Sequence, residues 1–383
     1  MSKELLKGKD CTGCAACANA CPVDAVSMAE DAEGFKYPRI DGEKCVNCGA
    51  CERACAGIGK NKLSEVSRCI AARSKDAELV EKSSSGGFLS VIAEKIIRDG
   101  GAVYGAALDE NCDIKHVGIE RAQDLGRLRG AKYVQSDLGQ SFREIKELLA
   151  KGRTVLFIGT PCQAAGLAAF VGEELSKKLV IVDFICHGVP SPGVWRGYRA
   201  SRTRGKRLKS VSFRDKKYGW NDYAMKWSYR DGKVKYENRY FSPYLRGFSS
   251  NLFLRPSCYE CRFKGTERRA DITVGDCWGV EAVLPKFSDG RGTSVVMPRG
   301  EKGEELWESV KDGLEWESYP IERVLTGNAS IKDSAVTNPD RERFFNMYKN
   351  DGAEKALRAF CEPPFGTKVK ESLRIVYHRI RRR

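Results

Sequence analysis

The chain has 383 residues, with 16 Cys against 3 His, 42% hydrophobic and 31% charged residues, and a formal net charge of +15. This is a globular composition, not a disordered one, and no apolar stretch reaches the roughly 18–20 residues of a membrane span. A chain of this length needs no disulfide staples, and Met1–Asp10 is short and charged, without the apolar core of a signal peptide. The expected setting is therefore a reducing cytoplasm, with the cysteines used for metal.

The first pattern is Cys11-x-x-Cys14-x-x-Cys17-x-x-x-Cys21-Pro22, repeated as Cys45-x-x-Cys48-x-x-Cys51-x-x-x-Cys55 with Ala56 in place of Pro. Triplets of this spacing wrap three corners of a [4Fe–4S] cube, and the fourth cysteine of each run ligates the other cluster. The spacing thus assigns Cys11, Cys14, Cys17 and Cys55 to one cluster, and Cys45, Cys48, Cys51 and Cys21 to a second. Zinc ribbons use pairs of cysteines, which this pattern does not follow. Val26–Met28 and Phe35–Ile40 read as short strands between the runs, so residues 1–68 are expected to form a two-cluster ferredoxin-like domain. Two adjacent clusters make a wire, and most of the chain remains for whatever they serve.

Ser83–Gly87 precedes a helical pattern at Phe88–Arg98, and small residues there suit either phosphate binding by free N–H groups or plain capping. Gly101–Leu108 and Asp113–Glu120 read as neighbouring strands. Arg129–Ser136 mixes two cations, a phenol and an amide, which suits a phosphate or flavin contact as well as an ordinary surface strand; it leads into a helix at Leu138–Leu149. Thr154–Gly159, Gln163–Lys177 and Leu179–Ile185 form a βαβ pattern, whose ligands belong at the carboxyl ends of the strands. Both strands lead to a cysteine there, Cys162 and Cys186, and Cys162 falls at a helix N-terminus where the dipole favours thiolate. Taken alone, both read as buried core cysteines.

Cys258-x-x-Cys261 lies in a loop bracketed by Arg255 and Arg262. With the two strand-end cysteines it makes four thiolates, the number a third [4Fe–4S] cluster needs, and a redox disulfide is the competing reading. Cys69, Cys112, Cys277 and Cys361 have no partner at metal spacing. Ser210–Phe241 alternates and is aromatic-rich, with a hairpin turn at Asp231-Gly232. Ala270–Asp276 and Gly292–Met297 read as further strands and Glu304–Val310 as helix, so the body, residues 69–362, is expected to be mixed α/β around one large sheet. Residues 363–383 form a basic tail with helical apolar spacing, suited to touching a partner or a membrane surface, or to docking on its own domain.

The excess charge is local. Arg196–Lys217 carries ten Lys/Arg against one Asp, and Thr367–Arg383 seven against one Glu, which accounts for all of it. Such patches favour an acidic partner, such as a ferredoxin. No nucleic-acid-binding signature accompanies them, and none is expected to bind.

The segments Gly159–Gln163, Cys186–Pro192, Lys132–Ser136, Cys258-x-x-Cys261 and Ala270–Asp276 together resemble the coenzyme F420 hydrogenase/dehydrogenase beta-subunit family, in the form of its bacterial branch. The resemblance runs over nearly the whole chain. It implies an α+β iron–sulfur flavoprotein: an N-terminal two-cluster ferredoxin-like domain followed by a mixed α/β FAD- and Fe–S-binding body. It implies FAD, and a third [4Fe–4S] cluster on Cys162, Cys186, Cys258 and Cys261. By motif, FAD contacts fall on Ser84, Ser85, Gly86, Lys132, Tyr133, Gln135, Ser136 and Thr160, with His187 as the catalytic candidate. The implied activity is electron transfer from a ferredoxin-type donor through the clusters to FAD, then hydride transfer to a small-molecule substrate, reversible in principle. The alternative is an electron-transfer subunit of a larger redox complex with no substrate of its own.

Overall fold

The computed structural model describes residues 5, 8–58, 63–287, 289–364, 366 and 369. The two cysteine runs wind in the same way. Gly13 and Ala15 flank Cys14 with φ of 69° and 56°, and Asn47 and Gly49 flank Cys48 with φ of 55° and 71°. Left-handed backbone on both sides of the central cysteine coils each run about one centre and turns its N–H groups inward. Each run then enters a short helix, Ala16–Ala20 or Ala50–Arg53. Between them β1 (Val26–Glu30) and β2 (Lys36–Ile40) pair antiparallel, Val26 opposite Ile40. Two strands do not hold a fold alone, so this segment depends on what it docks against.

The body is built on eight further strands: β3 (Ile70–Ser74), β4 (Ala102–Leu108), β5 (Ile114–Ile119), β6 (Val155–Gly159), β7 (Leu179–Phe184) and, after an intervening hairpin sheet of β8 (Leu208–Asp215), β9 (Ala224–Tyr229) and β10 (Val234–Asn238), β11 (Ile272–Asp276), β12 (Ser294–Pro298) and β13 (Leu314–Ser318). Their order in the large sheet is β13-β3-β12-β11-β7-β6-β4-β5. Strands β4, β6, β7 and β11 are mutually parallel, and β5 and β12 flank them antiparallel. The central strands are buried on both faces, which is why they read as continuous apolar runs. Helices Phe88–Arg98 and Gly300–Glu308 cover one face through Phe88, Ile92, Ile96 and Trp307. Helices Ser141–Ala150 and Pro161–Val171 cover the other through Ile145, Leu149, Ala164 and Leu167, and Ala15 and Ala16 of the first cysteine run pack into that same core.

The sequence pattern predicts one large sheet, but β10-β9-β8 forms a second, separate one. It has its own aromatic core, in which the Trp195 ring lies 4.7 Å from Phe213 and 5.7 Å from Trp227. Arg129–Ser136 is irregular rather than a strand, and the helix after it begins at Ser141. The segment Arg196–Lys217 is not an open basic patch. Arg196, Arg199, Arg202, Arg204, Lys206 and Arg214 pair with Glu30, Asp113, Glu237, Glu354, Asp231 and Asp276. Lys216 is buried against the carbonyls of Val80, Ser85 and Arg291. Counting charge along the chain missed these carboxylates because they come from distant elements. The basic tail, apart from Pro363, Pro364, Gly366 and Val369, lies outside the described residues. No helix among those described is long and apolar enough to cross a membrane.

The ferredoxin-like segment is fastened to the body by polar bonds on every side. Arg143 donates to the carbonyls of Ala18, Asn19 and Cys21 at 3.2, 2.7 and 2.6 Å. Asn19 Nδ2 donates to Gly139 O at 2.9 Å, and Lys36 pairs with Asp137 at 2.7 Å. Glu33 pairs with Arg341, and Asp10 with Arg262 at 2.7 Å. The body also comes close at Gly166, where an added Cβ would lie 2.8 Å from Cys14 Sγ. Gly166→Val should therefore cost about 1–3 kcal/mol by overpacking, read as a lowered unfolding midpoint. Gly126→Ala, at a site where a Cβ meets nothing within 4 Å, should leave that midpoint unchanged.

Candidate metal centres and cofactor site

Cys11, Cys14, Cys17 and Cys55 line one cavity, with Thr12, Gly13, Met28 and Pro38. Burial, first of all, pushes the Cys14 thiol up to about 11, and the charges of Cys11 and Cys55 push the same way. Cys17 is raised by burial and then by Cys14, Cys11 and Cys55. Cys21, Cys45 and Cys51 gather around Leu5, Ala25 and Val26, a cluster that Cys17 of the first set also touches. There Ala25 N–H donates to Cys21 Sγ at 3.1 Å, and Cys21 contributes to the raised pKa of Cys51 after burial. Cys48 is the one exposed cysteine among the sixteen, none of which is in a disulfide. The chain thus crosses over, bringing Cys55 to the first run's thiols and Cys21 to the second's.

Cys162, Cys186, Cys258 and Cys261 line a third cavity, although the last two are far from the first two in sequence; its wall also includes Thr12, Pro161, His187, Lys264 and Arg268. Each cysteine is placed by a local device. Thr160 caps the helix Pro161–Val171 in a capping box with Gln163, which sets Cys162 in the first turn. Cys186 follows the end of β7, and Lys264 Nζ donates to its carbonyl at 2.6 Å. Cys258 Sγ accepts from Val189 N–H at 3.4 Å, and Ser334 Oγ accepts from Cys261 N–H at 2.9 Å.

At Cys162 the helix N-terminus is opposed by burial. Burial raises its pKa, with Cys261, Cys186 and Cys14 adding to it, against a 3.1 Å contact with Thr160 Oγ1. Burial likewise pushes Cys186 up to about 12, with Cys258 adding to it and Lys264 and Arg268 opposing. Cys258 also goes to about 12 for the same first reason, with Cys162 and Cys261 adding to it. Four thiols that feel one another's charge, beside two cations, suit a group that takes all four as thiolates. Among the described residues no three His, Cys, Asp or Glu side chains converge closely enough for a single metal ion. The thiols ring voids instead, as a polynuclear cluster requires.

The first and third cavities share Thr12. Gln135 Nε2 donates to Thr12 O at 2.8 Å, and Arg255 Nη1 donates to Gln135 Oε1 at 3.0 Å. Gln163 Nε2 in turn donates to Ser136 Oγ at 3.0 Å. Gln135, Ser136 and Thr160 are therefore woven into the junction between thiol sets. Of these junction groups, Arg255 was visible in the sequence only as a bracket to the Cys258 loop, and Thr12, Lys264 and Arg268 carried no signal.

The remaining residues expected at FAD lie along the carboxyl edge of the sheet. Ser85 Oγ donates to Thr293 O at 2.8 Å, and Gly86 N–H to Ser294 Oγ at 3.0 Å. A Cβ at Gly86 would lie 2.4 Å from Ala72 O, so glycine is required there for packing as well. Lys132 is half-buried, its ammonium desolvated so that its pKa is pushed down to about 7, and its Nζ donates to Leu128 O and Arg129 O at 2.7 and 2.8 Å. The Tyr133 ring stacks on Phe248 with centroids 4.7 Å apart. Arg214 lies between these groups, paired with Asp276 and beside Trp220, Tyr223 and Trp278. Arg214 Nε and Nη2, Trp220 Nε1 and Thr293 Oγ1 are buried without a hydrogen-bond partner. Orphaned donors along this edge fit a ligand with many acceptors, as FAD is. His187 Nε2 donates to Asn251 Oδ1 at 2.6 Å, an orientation held by Asn251 Nδ2 donating to Val336 O, and Nδ1 accepts from Ser330 Oγ at 3.4 Å. Burial lowers its pKa, so the imidazole is neutral.

Comparison with known proteins places two of these regions. Residues 10–56 match a 4Fe-4S dicluster domain, and residues 152–323 match the C-terminal domain of the coenzyme F420 hydrogenase/dehydrogenase beta subunit. The chain is 26% identical over 357 residues to one of the subunits of the F(420)H(2) dehydrogenase of Methanosarcina mazei, covering 85% of this chain and 92% of that protein. It is also similar to a chain of the F420-reducing [NiFe] hydrogenase complex from Methanosarcina barkeri, with a TM-score of 0.47 and 20% identity, over 76% of this chain and 91% of that one.

Cys258→Ser and Cys162→Ser should each remove about four iron per chain and leave the iron of the ferredoxin-like segment in place. Iron analysis of anaerobically purified variants checks this. Unchanged iron in both would refute a cluster at the third cavity.

Proposed function

We propose that this iron–sulfur chain, which carries the C-terminal domain of the coenzyme F420 hydrogenase/dehydrogenase beta-subunit family, is a flavin-dependent oxidoreductase that links a ferredoxin-type donor to a small-molecule substrate. The observation that carries this is the chain of three thiol sets, the inner two sharing Thr12 as a wall. Clusters on Cys21, Cys45, Cys48 and Cys51, on Cys11, Cys14, Cys17 and Cys55, and on Cys162, Cys186, Cys258 and Cys261 make a relay leading inward from the exposed Cys48. Val23 and Val46, 40% and 60% exposed, give that outer end an apolar face for a donor. Ser84, Ser85, Gly86, Lys132 and Tyr133, together with Arg214 and Thr293, would hold FAD along the carboxyl edge, and Gln135, Ser136 and Thr160 would separate it from the inner clusters. FAD bound there supplies the exchange between single electrons and a hydride. The neutral His187 is the group that holds or moves a proton, with Asn251 and Ser330 fixing its tautomer. The same groups serve the reverse direction, and the proposed setting is the cytoplasm.

The match to a protein named as part of a dehydrogenase favours a second reading. In it, this chain passes electrons within a larger redox complex and has no substrate of its own.

Anaerobically purified protein should contain about twelve iron per chain, four per cluster, and one FAD. About eight iron and no flavin would sink the reading. Hydride transfer by the isolated chain with FAD intact distinguishes the first reading from the second. Coenzyme F420 is the first substrate to assay, given the name of the dehydrogenase that the chain resembles. In such an assay His187→Gln should lower turnover by at least tenfold, about 1.4 kcal/mol in the barrier, with iron and flavin retained. Unchanged turnover and an unchanged pH profile would remove His187 from proton handling.

A further inference from the structure

We propose that Arg255 sets the reduction potential of the cluster on Cys11, Cys14, Cys17 and Cys55, raising it above that of the outer cluster so that electrons are drawn inward. This rests on the proposal above that those cysteines hold a cluster.

Arg255 has no solvent exposure. Its Nε donates to Cys11 O at 2.8 Å, Nη1 to Gln135 Oε1 at 3.0 Å, and Nη2 to Lys36 O at 3.0 Å. Nη2 also lies 3.7 Å from Cys11 Sγ as a donor. The Tyr37 and Phe35 rings stand 4.2 and 5.5 Å from the guanidinium carbon. These partners are carbonyls, an amide, a sulfur and ring faces, and none is a carboxylate. Of the other buried arginines, Arg214 has Asp276, Arg268 has Asp183 and Arg73 has Asp289, while Arg299 donates to Thr273 Oγ1 and to the carbonyls of Thr266 and Met297 rather than to a thiol. A buried cation without an anion is costly. The anion placed to meet this one is the Cys11 thiolate and the cluster it would hold.

The cysteine loop is shaped around the guanidinium. A Cβ on Gly13 would lie 2.7 Å from Arg255 Nη1 and 2.9 Å from Gln135 Nε2, at a φ of +69° that favours glycine. Arg255 also belongs to the third cavity's loop, its carbonyl accepting from Cys258 N–H at 2.9 Å. One-electron reduction adds one negative charge to a cluster. A fixed cation and an N–H directed at a ligand sulfur stabilise that reduced form, and no proton has to move. At the outer set, the described donors to ligand sulfurs are neutral backbone N–H groups, Ala25 on Cys21 and Glu52 and Cys51 on Cys51; Arg143 and Arg53 donate there to the carbonyls of Cys21 and Cys48, and Cys48 is open to solvent.

The test is an EPR-monitored redox titration of the anaerobic full-length protein, with the inner cluster's signal assigned by its loss in Cys14→Ser. In Arg255→Gln, the inner cluster's reduced-to-oxidised ratio at the wild-type midpoint should fall about tenfold, equivalent to about 59 mV for one electron. The outer cluster should not move. Arg255→Lys, which keeps the charge but not the fork, should shift the ratio less. An unmoved inner midpoint in Arg255→Gln with iron retained would overturn the proposal. If that variant loses iron, pulsed EPR on wild-type protein labelled with 15N-arginine decides. A 15N coupling to the reduced inner cluster is expected, and its absence overturns the proposal. Wild-type protein without iron would instead overturn the functional reading, and this proposal with it.

Discussion

Burying thiols close together makes them hold their protons, and the architecture of this protein turns on that constraint. Cys14, Cys186 and Cys258 are pushed to about 11 or 12 chiefly by burial. Such groups give up protons to a metal group that repays the desolvation, so occupancy of the cavities and folding around them are coupled. The cations follow from the same constraint. Lys264 and Arg268 line the third cavity, and Arg255 touches the first. Arg268 is itself held by Asp183, an almost fully buried carboxylate of β7. The charge that balances the thiolates is thus anchored in the sheet.

The ferredoxin-like segment is part of the body's site rather than an appendage to it. Its Ala15 and Ala16 enter the core beneath β4, β6 and β7. Its Thr12 forms a wall of the third cavity. The helix carrying Cys162 approaches Cys14 because residue 166 is glycine. Close contact of this kind suits electron passage between thiol sets.

What was legible in the sequence follows the range of the interaction. The cysteine triplets are local, so their spacing reported the loops that wrap Cys11–Cys17 and Cys45–Cys51. The βαβ pattern is local too, and it set Cys162 and Cys186 at neighbouring strand ends. That Cys258 and Cys261 complete the same cavity was read only from a count of four thiolates, with a redox disulfide competing until the family resemblance was added, because nothing in the intervening chain encodes that meeting. Long-range pairings were invisible. The six ion pairs made by Arg196–Lys217 involve carboxylates from six separate positions, so a run of positive charge looked like open surface. The burial that opposes the helix dipole at Cys162 was likewise invisible, since burial is a tertiary property. The separate β8–β10 sheet was recognisable as a hairpin but not as a second core, which needs Trp195, Tyr244 and Phe344 from three helices.

The bond between Arg255 and Cys11 spans 244 positions of sequence. At a translation rate of about 5–20 residues per second, a nascent chain exposes its first cysteine run for roughly 12–50 seconds before Arg255 is made. Through that interval the run is a flexible thiol-rich tail, open to oxidation and to any passing metal. The cell's delivery machinery therefore meets two different substrates in one polypeptide. The outer set can be loaded as soon as Cys51 emerges, whereas the inner corner closes only when the body has folded over it.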